Sequence, residues 1–173
     1  LEAQRAVIAT GIDCRLLLVP RHVARAPDVL KLLKAQELPW YQRSTGDIVP
    51  ENLAIHLADT TGELAHLSQI ADLAFIGKSL APNEGGQTPI EAAGLGIPVL
   101  MGSKMNNFKD VAKSLIRAGA AMTVDHADEL RSEVLKLAKD QSSRLNMQQA
   151  GLEWHKRNSG SSQRIAEQIL KSL

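Results

Sequence analysis

Aromatic residues and excess charge are both scarce in this chain, and each absence argues against a class of partner. Phe, Trp and Tyr together make up 3% of the 173 residues, which argues against single-strand binding by base stacking on aromatic side chains. Twenty Lys and Arg against nineteen Asp and Glu give a net charge of +1, so no overall field attracts nucleic acid. We therefore expect no nucleic-acid partner.

Cysteine and long apolar runs are also scarce. The one cysteine, Cys14, lies in an apolar run, which predicts a small buried side chain in a reducing compartment. No apolar segment reaches about 18 residues, so we predict no membrane span and expect a soluble chain. There is no signal-peptide pattern. Because the chain opens at Leu1, inside a predicted helix and without a methionine, we expect it to be part of a longer protein.

Several chemical motifs are absent as well. The chain has neither GxGxxG nor a Walker GxxxxGK[ST] sequence, so a dinucleotide or a magnesium-bound triphosphate is not favoured. The histidines lack metal-ligand spacing with cysteines or carboxylates, and we expect neither a metal site nor a cofactor. No GxSxG elbow or Cys–His pair supplies a nucleophile. The sequence therefore predicts a binding domain without acid–base machinery of its own.

Short β-rich runs alternate with helical patterns along the whole chain. Strands are predicted at 14–20, 40–44, 52–59, 72–77, 97–102 and 120–124, and helices at 26–38, 61–71, 88–96, 107–119, 127–139, 141–156 and 161–172. Such alternation forms βαβ units, whose right-handed crossovers build a parallel sheet. The sequence predicts one α/β domain over 1–173, a Rossmann-like parallel sheet with helices on both faces. Ligands are then expected beyond the carboxyl ends of the strands.

Two T-x-x-E sequences follow predicted strands. Thr60 with Glu63, and Thr88 with Glu91, each fit a capping box, and Pro89 fits the first helical position. The structural interpretation is two well-capped helices. The functional interpretation is that helix N-termini bind a phosphate while a glutamate accepts ribose hydroxyls.

Two further features lie at predicted strand ends. Gly85 and Gly86 form a flexible turn. Two glycines there predict that another group approaches the backbone closely, and a phosphate is the candidate. Arg21 follows the first predicted strand and is either a solvated charge or a phosphate clamp, because a guanidinium matches phosphate oxygens. For the adjacent His22 a packed or structural role is favoured over a functional one.

Four segments together resemble the C-terminal domain of the 3-deoxy-D-manno-octulosonic acid (Kdo) transferases, which have a GT-B fold. The resemblance runs in the expected order from about Cys14 to Ala138, through LLLVPRH, LADTTGELAHLSQIADLAFIGKSL, EGGQTPIEAAGLGIPVLMG and MNNFKDVAKSL. It implies the C-terminal half of a GT-B glycosyltransferase, which binds the CMP moiety of the donor CMP-Kdo.

The resemblance also implies which residues contact CMP. They are Pro20, Arg21, Thr61, Gly62, Glu63, Thr88, Pro89, Ile90 and Glu91. The chain departs from the family pattern at Gln87 and Thr88, where histidine and asparagine are usual, which leaves the roles of these two side chains open. It departs again at Ala58, where a glycine usually precedes the aspartate.

The function implied by the resemblance is transfer of Kdo from CMP-Kdo to a lipid A precursor, at the cytoplasmic face of the bacterial inner membrane. The catalytic glutamate base and the acceptor would belong to an N-terminal domain outside this chain, as would the first strand of this domain. We therefore expect no catalytic residue here and no activity of the chain alone. Lys156, Arg157 and Arg164 are expected to form a solvated helix face, with contact to anionic lipid as the alternative.

Two alternatives remain open from the sequence. One is the donor domain of a GT-B enzyme that uses a UDP- or GDP-sugar. The other is a nucleotide-binding domain without catalytic function.

Overall fold

The computed structural model describes residues 1–160 and 169–170. In that part of the chain it contains six strands and seven α-helices: α1 Glu2–Ile8, β1 Leu16–Leu18, α2 Ala26–Lys34, β2 Trp40–Gln42, β3 Ile55–Leu57, α3 Leu64–Ser68, β4 Ala74–Ile76, α4 Ile90–Gly94, β5 Val99–Gly102, α5 Lys109–Ala118, β6 Ala121–Val124, α6 Ala127–Lys139 and α7 Gln141–Asn158. Each predicted strand is present but shorter. The predicted helix at 161–172 lies outside the described residues except at 169–170.

Every strand pair is parallel, which confirms the predicted α/β class. The strands form two three-stranded sheets, with orders β1-β3-β2 and β4-β5-β6, where the prediction had one sheet. Leu17 and Tyr41 both align with His56 in the first sheet, and Leu100 aligns with Phe75 and Met122 in the second. Alternation of strands and helices dictates strand direction but not which strands exchange hydrogen bonds.

The chain divides into two compact units. The first unit comprises Leu1–Gln69 with Arg131–Ala138, and the second comprises Ile70–Leu130 with the chain from Lys139 onward. The first unit contains the β1-β3-β2 sheet, and the second contains the β4-β5-β6 sheet. Each unit has its own hydrophobic cluster.

The core of the first unit forms where α2 packs on β3. Leu33, Ile55 and Leu57 are fully buried there, and Trp40 packs against them. Pro27 lies in the first turn of α2, as predicted, where its missing N–H costs nothing. Cys14 is half-buried rather than buried. It precedes β1, and its carbonyl accepts from Gln4 Nε2 at 3.1 Å.

The core of the second unit surrounds β5, whose four residues are all buried. The amphipathic helix α5 buries Leu115 and ends at Gly119, as predicted, where φ is 78°. Asp140 caps the start of helix α7, because its carboxylate accepts from the Ser143 N–H at 2.9 Å. Trp154 of α7 is buried, and its indole N–H donates to Ser114 Oγ at 2.8 Å.

Strand β4 was predicted to be buried, and this was wrong for its central residue. Phe75 is 40% exposed, because β4 is an edge strand of its sheet. An apolar run in the sequence does not distinguish an edge strand from a central one.

Candidate functional site

The carboxyl ends of the first-unit strands lead directly into the polar residues that the sequence singled out. β1 ends at Leu18, two residues before Pro20 and three before Arg21, and β3 ends at Leu57, shortly before the segment 59–63. Arg21, Thr61 and Gly62 are exposed, and Gly62 has a φ of 84°. Since parallel strands present their carboxyl ends at one sheet edge, these residues share that edge of the β1-β3-β2 sheet.

A buried carboxylate organises this edge. Asp59 is 5% exposed and accepts hydrogen bonds from Gln42 Nε2 at 2.7 Å, from the Ser44 N–H at 2.9 Å and from Ser44 Oγ at 2.6 Å. Burial acts to raise the pKa of Asp59, but the bonds from Ser44 and Gln42 outweigh it and hold the pKa below its ordinary value. Asp59 thereby joins the chain after β2 to the chain after β3.

Arg43, between the two residues that Asp59 binds, forms an ion pair with Glu63. Its Nε donates to Glu63 Oε2 at 2.7 Å and its Nη2 donates to Oε1 at 2.6 Å, the bidentate geometry that suits a guanidinium and a carboxylate. The Thr60 hydroxyl also donates to Glu63 Oε2. The Arg43 and Glu63 side chains are 32% and 34% exposed, so water reaches the pair.

These bonds determine the charge of Glu63. Hydrogen bonds from Arg43 and then Thr60 lower the pKa of its carboxyl from 4.5 to about 2, and the bond to Glu63 raises the pKa of Arg43. Nearby, burial and then the charge of Arg43 lower the pKa of His56, whose Nε2 is buried without a hydrogen-bond partner among the described residues. Glu63 is therefore a carboxylate, and the ring of His56 is favoured in its neutral form.

Both predicted capping boxes were wrong. Helix α3 begins only after Glu63, which is its N-cap residue and makes no side-chain cap, because the Glu63 carboxylate binds the Arg43 guanidinium instead of a backbone amide. Helix α4 begins after Pro89, and Thr88 Oγ1 accepts from the Ile90 N–H at 3.3 Å. Each helix has five residues, too short for the strong N-terminal dipole that the phosphate interpretation invoked.

In the second unit, the turn that contains Gly85 and Gly86 is filled by protein. A Cβ on Gly86 would lie 2.9 Å from Met105 Cε, and one on Gly85 would lie 2.9 Å from Asn107 Nδ2. The Gly85 N–H donates to the Lys104 carbonyl at 2.9 Å and the Gly86 N–H to the Lys78 carbonyl at 2.8 Å. The predicted close approach is real, but the approaching group is the 104–107 segment, and both amides are engaged within the protein.

The same turn is fastened to the end of β5 by a buried serine. Ser79 is fully buried, and its hydroxyl accepts from the Gly102 N–H at 2.7 Å while donating to the Ile76 carbonyl. A Cβ on Gly102 would overlap the Ser79 carbonyl and lie 2.7 Å from the Leu80 nitrogen. Backbone therefore packs directly on backbone at this point.

The remaining predicted residues of the second unit follow this turn. Thr88, Ile90 and Gln87 are half-buried, Pro89 is buried, and Glu91 is exposed in the first turn of α4. These residues lie beyond the carboxyl end of β4, as Arg21 and Glu63 lie beyond the strands of the first sheet.

Arg43, Gln42 and Ser44 were not predicted from the sequence as site residues. The signal for them was available, because these three residues lie at the carboxyl end of the strand predicted at 40–44 and parallel strands align their carboxyl ends. His22, for which a packed or structural role was favoured, is exposed, and its carbonyl accepts from the Arg25 N–H at 2.9 Å.

Two kinds of feature are absent from the described residues. No helix within 1–160 or 169–170 is long and apolar enough to cross a membrane. The same residues contain no group of three or more His, Cys, Asp or Glu side chains placed to hold a metal ion.

Comparison with known proteins identifies close relatives. No protein-family model matches the chain. A 3-deoxy-D-manno-octulosonic acid transferase of Haemophilus influenzae is 34% identical over 168 residues, which cover 96% of this chain and 39% of that protein. The protein of the same name from Bordetella pertussis is 34% identical over 170 residues, 98% of this chain and 39% of its own. The chain thus spans about two fifths of the length of these relatives.

Solved structures show the fold. The C-terminal CMP-Kdo binding domain of WaaA from Acinetobacter baumannii superposes with a TM-score of 0.79 at 22% identity, covering 88% of this chain and 82% of that one. The glycosyltransferase of kitacinnamycin gives a TM-score of 0.53 at 19% identity, covering 92% and 43%. This chain therefore has the α/β fold of a glycosyltransferase domain. With its two curated relatives it belongs to the 3-deoxy-D-manno-octulosonic acid transferase family, and it corresponds to the C-terminal part of those proteins.

Proposed function

We propose that this chain binds the CMP moiety of CMP-Kdo, as the donor-binding part of an enzyme that transfers Kdo to a lipid A precursor. The observation that carries the proposal is similarity over 96% and 98% of the chain to two proteins named for Kdo transfer. The CMP-Kdo binding domain with the same fold supports it.

The proposed contacts with CMP lie after strand ends in each unit. They are Pro20, Arg21, Thr61, Gly62 and Glu63 in the first unit, and Thr88, Pro89, Ile90 and Glu91 in the second. Gly85 and Gly86 shape the turn before Thr88, and their own N–H groups bind protein carbonyls. The phosphate is therefore assigned to Arg21, whose guanidinium supplies a charge and several N–H donors.

The proposed chemistry is an inverting displacement at the Kdo anomeric carbon with CMP as the leaving group. This chain holds and orients CMP, and Arg21 stabilises the charge that develops on the departing phosphate. The base that deprotonates the acceptor hydroxyl lies outside the chain in this proposal, as does the surface that meets the lipid A precursor at the inner membrane.

Isothermal titration calorimetry with CMP, UDP and GDP tests the donor class. We expect CMP to bind more tightly than either diphosphate. Tighter binding of UDP or GDP would favour a different GT-B donor. Failure of all three nucleotides to bind would contradict the proposed function.

A matched pair of arginines tests the assignment of the phosphate contact. Arg21 follows β1, whereas Arg15 directly precedes it and lies 3.6 Å from Asp13. We expect Arg21→Ala to weaken CMP binding by about 10- to 100-fold, the loss of a charge-assisted hydrogen bond, and Arg15→Ala to leave it unchanged. Equal effects of the two changes would assign Arg21 to the general surface charge.

Glu91→Gln tests whether the second unit contacts the ribose. The side chain makes no cap on α4, so the change should leave the melting temperature nearly unaltered while weakening CMP binding by about tenfold. A 2′,3′-dideoxy analogue of CMP is the control, because it offers no hydroxyl to this carboxylate. Equal losses for CMP and the dideoxy analogue would exclude ribose recognition by Glu91.

A further inference from the structure

Arg43 has no assigned role in nucleotide binding, although its partner Glu63 is a proposed CMP contact, and the bonds around Arg43 hold its backbone in place. Asp59 binds the residues on both sides of it, Gln42 at 2.7 Å and Ser44 at 2.6 and 2.9 Å. Because Asp59 is buried, these three hydrogen bonds hold the backbone of 42–44 in place. The Arg43 guanidinium therefore reaches Glu63 from a segment whose backbone is held on both sides.

The Glu63 carboxylate accepts fewer hydrogen bonds than it has acceptor positions. An ionised carboxylate has about four acceptor positions, two on each oxygen. Among the described residues, Oε2 accepts from Arg43 Nε and from Thr60, while Oε1 accepts only from Arg43 Nη2. One acceptor position therefore remains, and it is on Oε1. With the side chain 34% exposed, that position is accessible to a ligand.

We propose that Arg43 is a positioning residue for nucleotide binding, which with Thr60 fixes Glu63 so that its carboxylate accepts from one pentose hydroxyl, and only one. This inference rests on the proposed function, since it supposes that the ligand is CMP. A carboxylate beyond a strand end is a common acceptor for ribose hydroxyls in Rossmann-like folds. An unpaired glutamate would be free to rotate and to accept from both hydroxyls; this one is held by three donors.

Monodeoxy analogues of CMP test whether Glu63 accepts from one pentose hydroxyl only. We expect Glu63→Gln and Arg43→Gln each to weaken CMP binding by about tenfold. One of the two analogues, 2′-deoxy-CMP or 3′-deoxy-CMP, lacks the hydroxyl that Glu63 accepts from, and neither substitution should alter the affinity for it. For the other analogue, both substitutions should weaken binding as much as they do for CMP. Partial effects with both analogues, or equal effects with all three ligands, would overturn the proposal while leaving CMP binding intact. Absence of CMP binding in the unaltered chain would instead contradict the proposed function.

A second measurement, made without ligand, separates positioning from a general structural role. The pKa of Glu63, followed by carbon-13 NMR of its carboxyl group, should rise in Arg43→Gln and rise less in Arg43→Lys, which keeps the charge but not the bidentate geometry. Arg25→Gln is the matched control, because Arg25 also binds a carboxylate of the first unit, Asp28, at 3.2 Å. An unchanged pKa in Arg43→Gln, or an equal rise in Arg25→Gln, would show that Arg43 does not hold Glu63.

Discussion

The loops that follow the strands are held in place by different interactions in the two units. In the first unit, charged side chains hold the loops together, and we call them the charged network: Arg43 pairs with Glu63, and Asp59 binds Gln42 and Ser44 on either side of Arg43. In the second unit, close packing holds the loops together: the Gly102 backbone lies against the Ser79 backbone, and Gly86 lies against the Met105 side chain. The first arrangement should respond to pH and to charge, and the second to the volume of a single methyl group.

The largest effect is expected where backbone packs on backbone. Gly102→Ala places a Cβ against the Ser79 carbonyl and 2.7 Å from the Leu80 nitrogen, atoms that cannot move without displacing the turn. We expect a loss of about 3 kcal/mol or more in the free energy of unfolding, measured by urea denaturation.

Gly77→Ala is the control for that change, since its Cβ would meet nothing within 4 Å. It should alter the free energy of unfolding by less than about 1 kcal/mol. Similar losses for the two variants would refute the steric account of the second unit.

A smaller effect is expected at Gly86, where steric contact adds to backbone strain. Gly86 and Gly46 have nearly the same φ, 69° and 68°, but a Cβ on Gly86 would lie 2.9 Å from Met105 Cε, whereas one on Gly46 meets nothing within 4 Å. We expect Gly86→Ala to cost about 2 kcal/mol and Gly46→Ala about 1 kcal/mol, the second being the left-handed backbone alone. Thermal unfolding of both variants gives the difference, and equal values would exclude a contribution from Met105.

The smallest expected effect is on acid stability, and it concerns the charged network. Because the pKa of Glu63 falls from 4.5 to about 2 on folding, the unfolded state binds a proton more readily. The contribution of Glu63 is therefore fully present above pH 4.5 and is lost as the pH falls toward 2. Asp59 has a lowered pKa and acts in the same direction.

Arg43→Gln should make the loss of stability between those pH values shallower, because it removes the main cause of the lowered pKa. Denaturation by urea at a series of pH values, for the variant and the unaltered chain, measures the slope. An unchanged slope would mean that the ion pair does not contribute to acid sensitivity.

The sequence predicted well those features that depend on neighbours along the chain. The strand positions, the parallel direction and the end of α5 at Gly119 follow from periodicity and from one residue type. The placement of Arg21 and Glu63 beyond strand ends followed from the same pattern. Such features need only local sequence and the handedness of βαβ units.

Features that depend on a distant partner were missed or misassigned. Glu63 fits a capping box by spacing, yet Arg43, twenty residues earlier, binds it in two places, and a guanidinium is a stronger partner than one amide. Gly85 and Gly86 correctly indicated a close approach, but nothing in the local sequence pointed to Met105 and Asn107 as the approaching groups. Spacing within a motif does not reveal such competition.

The placement of the two tryptophans has a practical consequence. Trp40 packs in the cluster around Leu33 in the first unit, and Trp154 is buried in the cluster of the second. The chain has two tryptophans and one tyrosine in all, so replacing either tryptophan with phenylalanine leaves a single tryptophan, which can be excited selectively over Tyr41. The emission of Trp40 then reports on the first unit and that of Trp154 on the second, and the chain carries a separate optical probe for each.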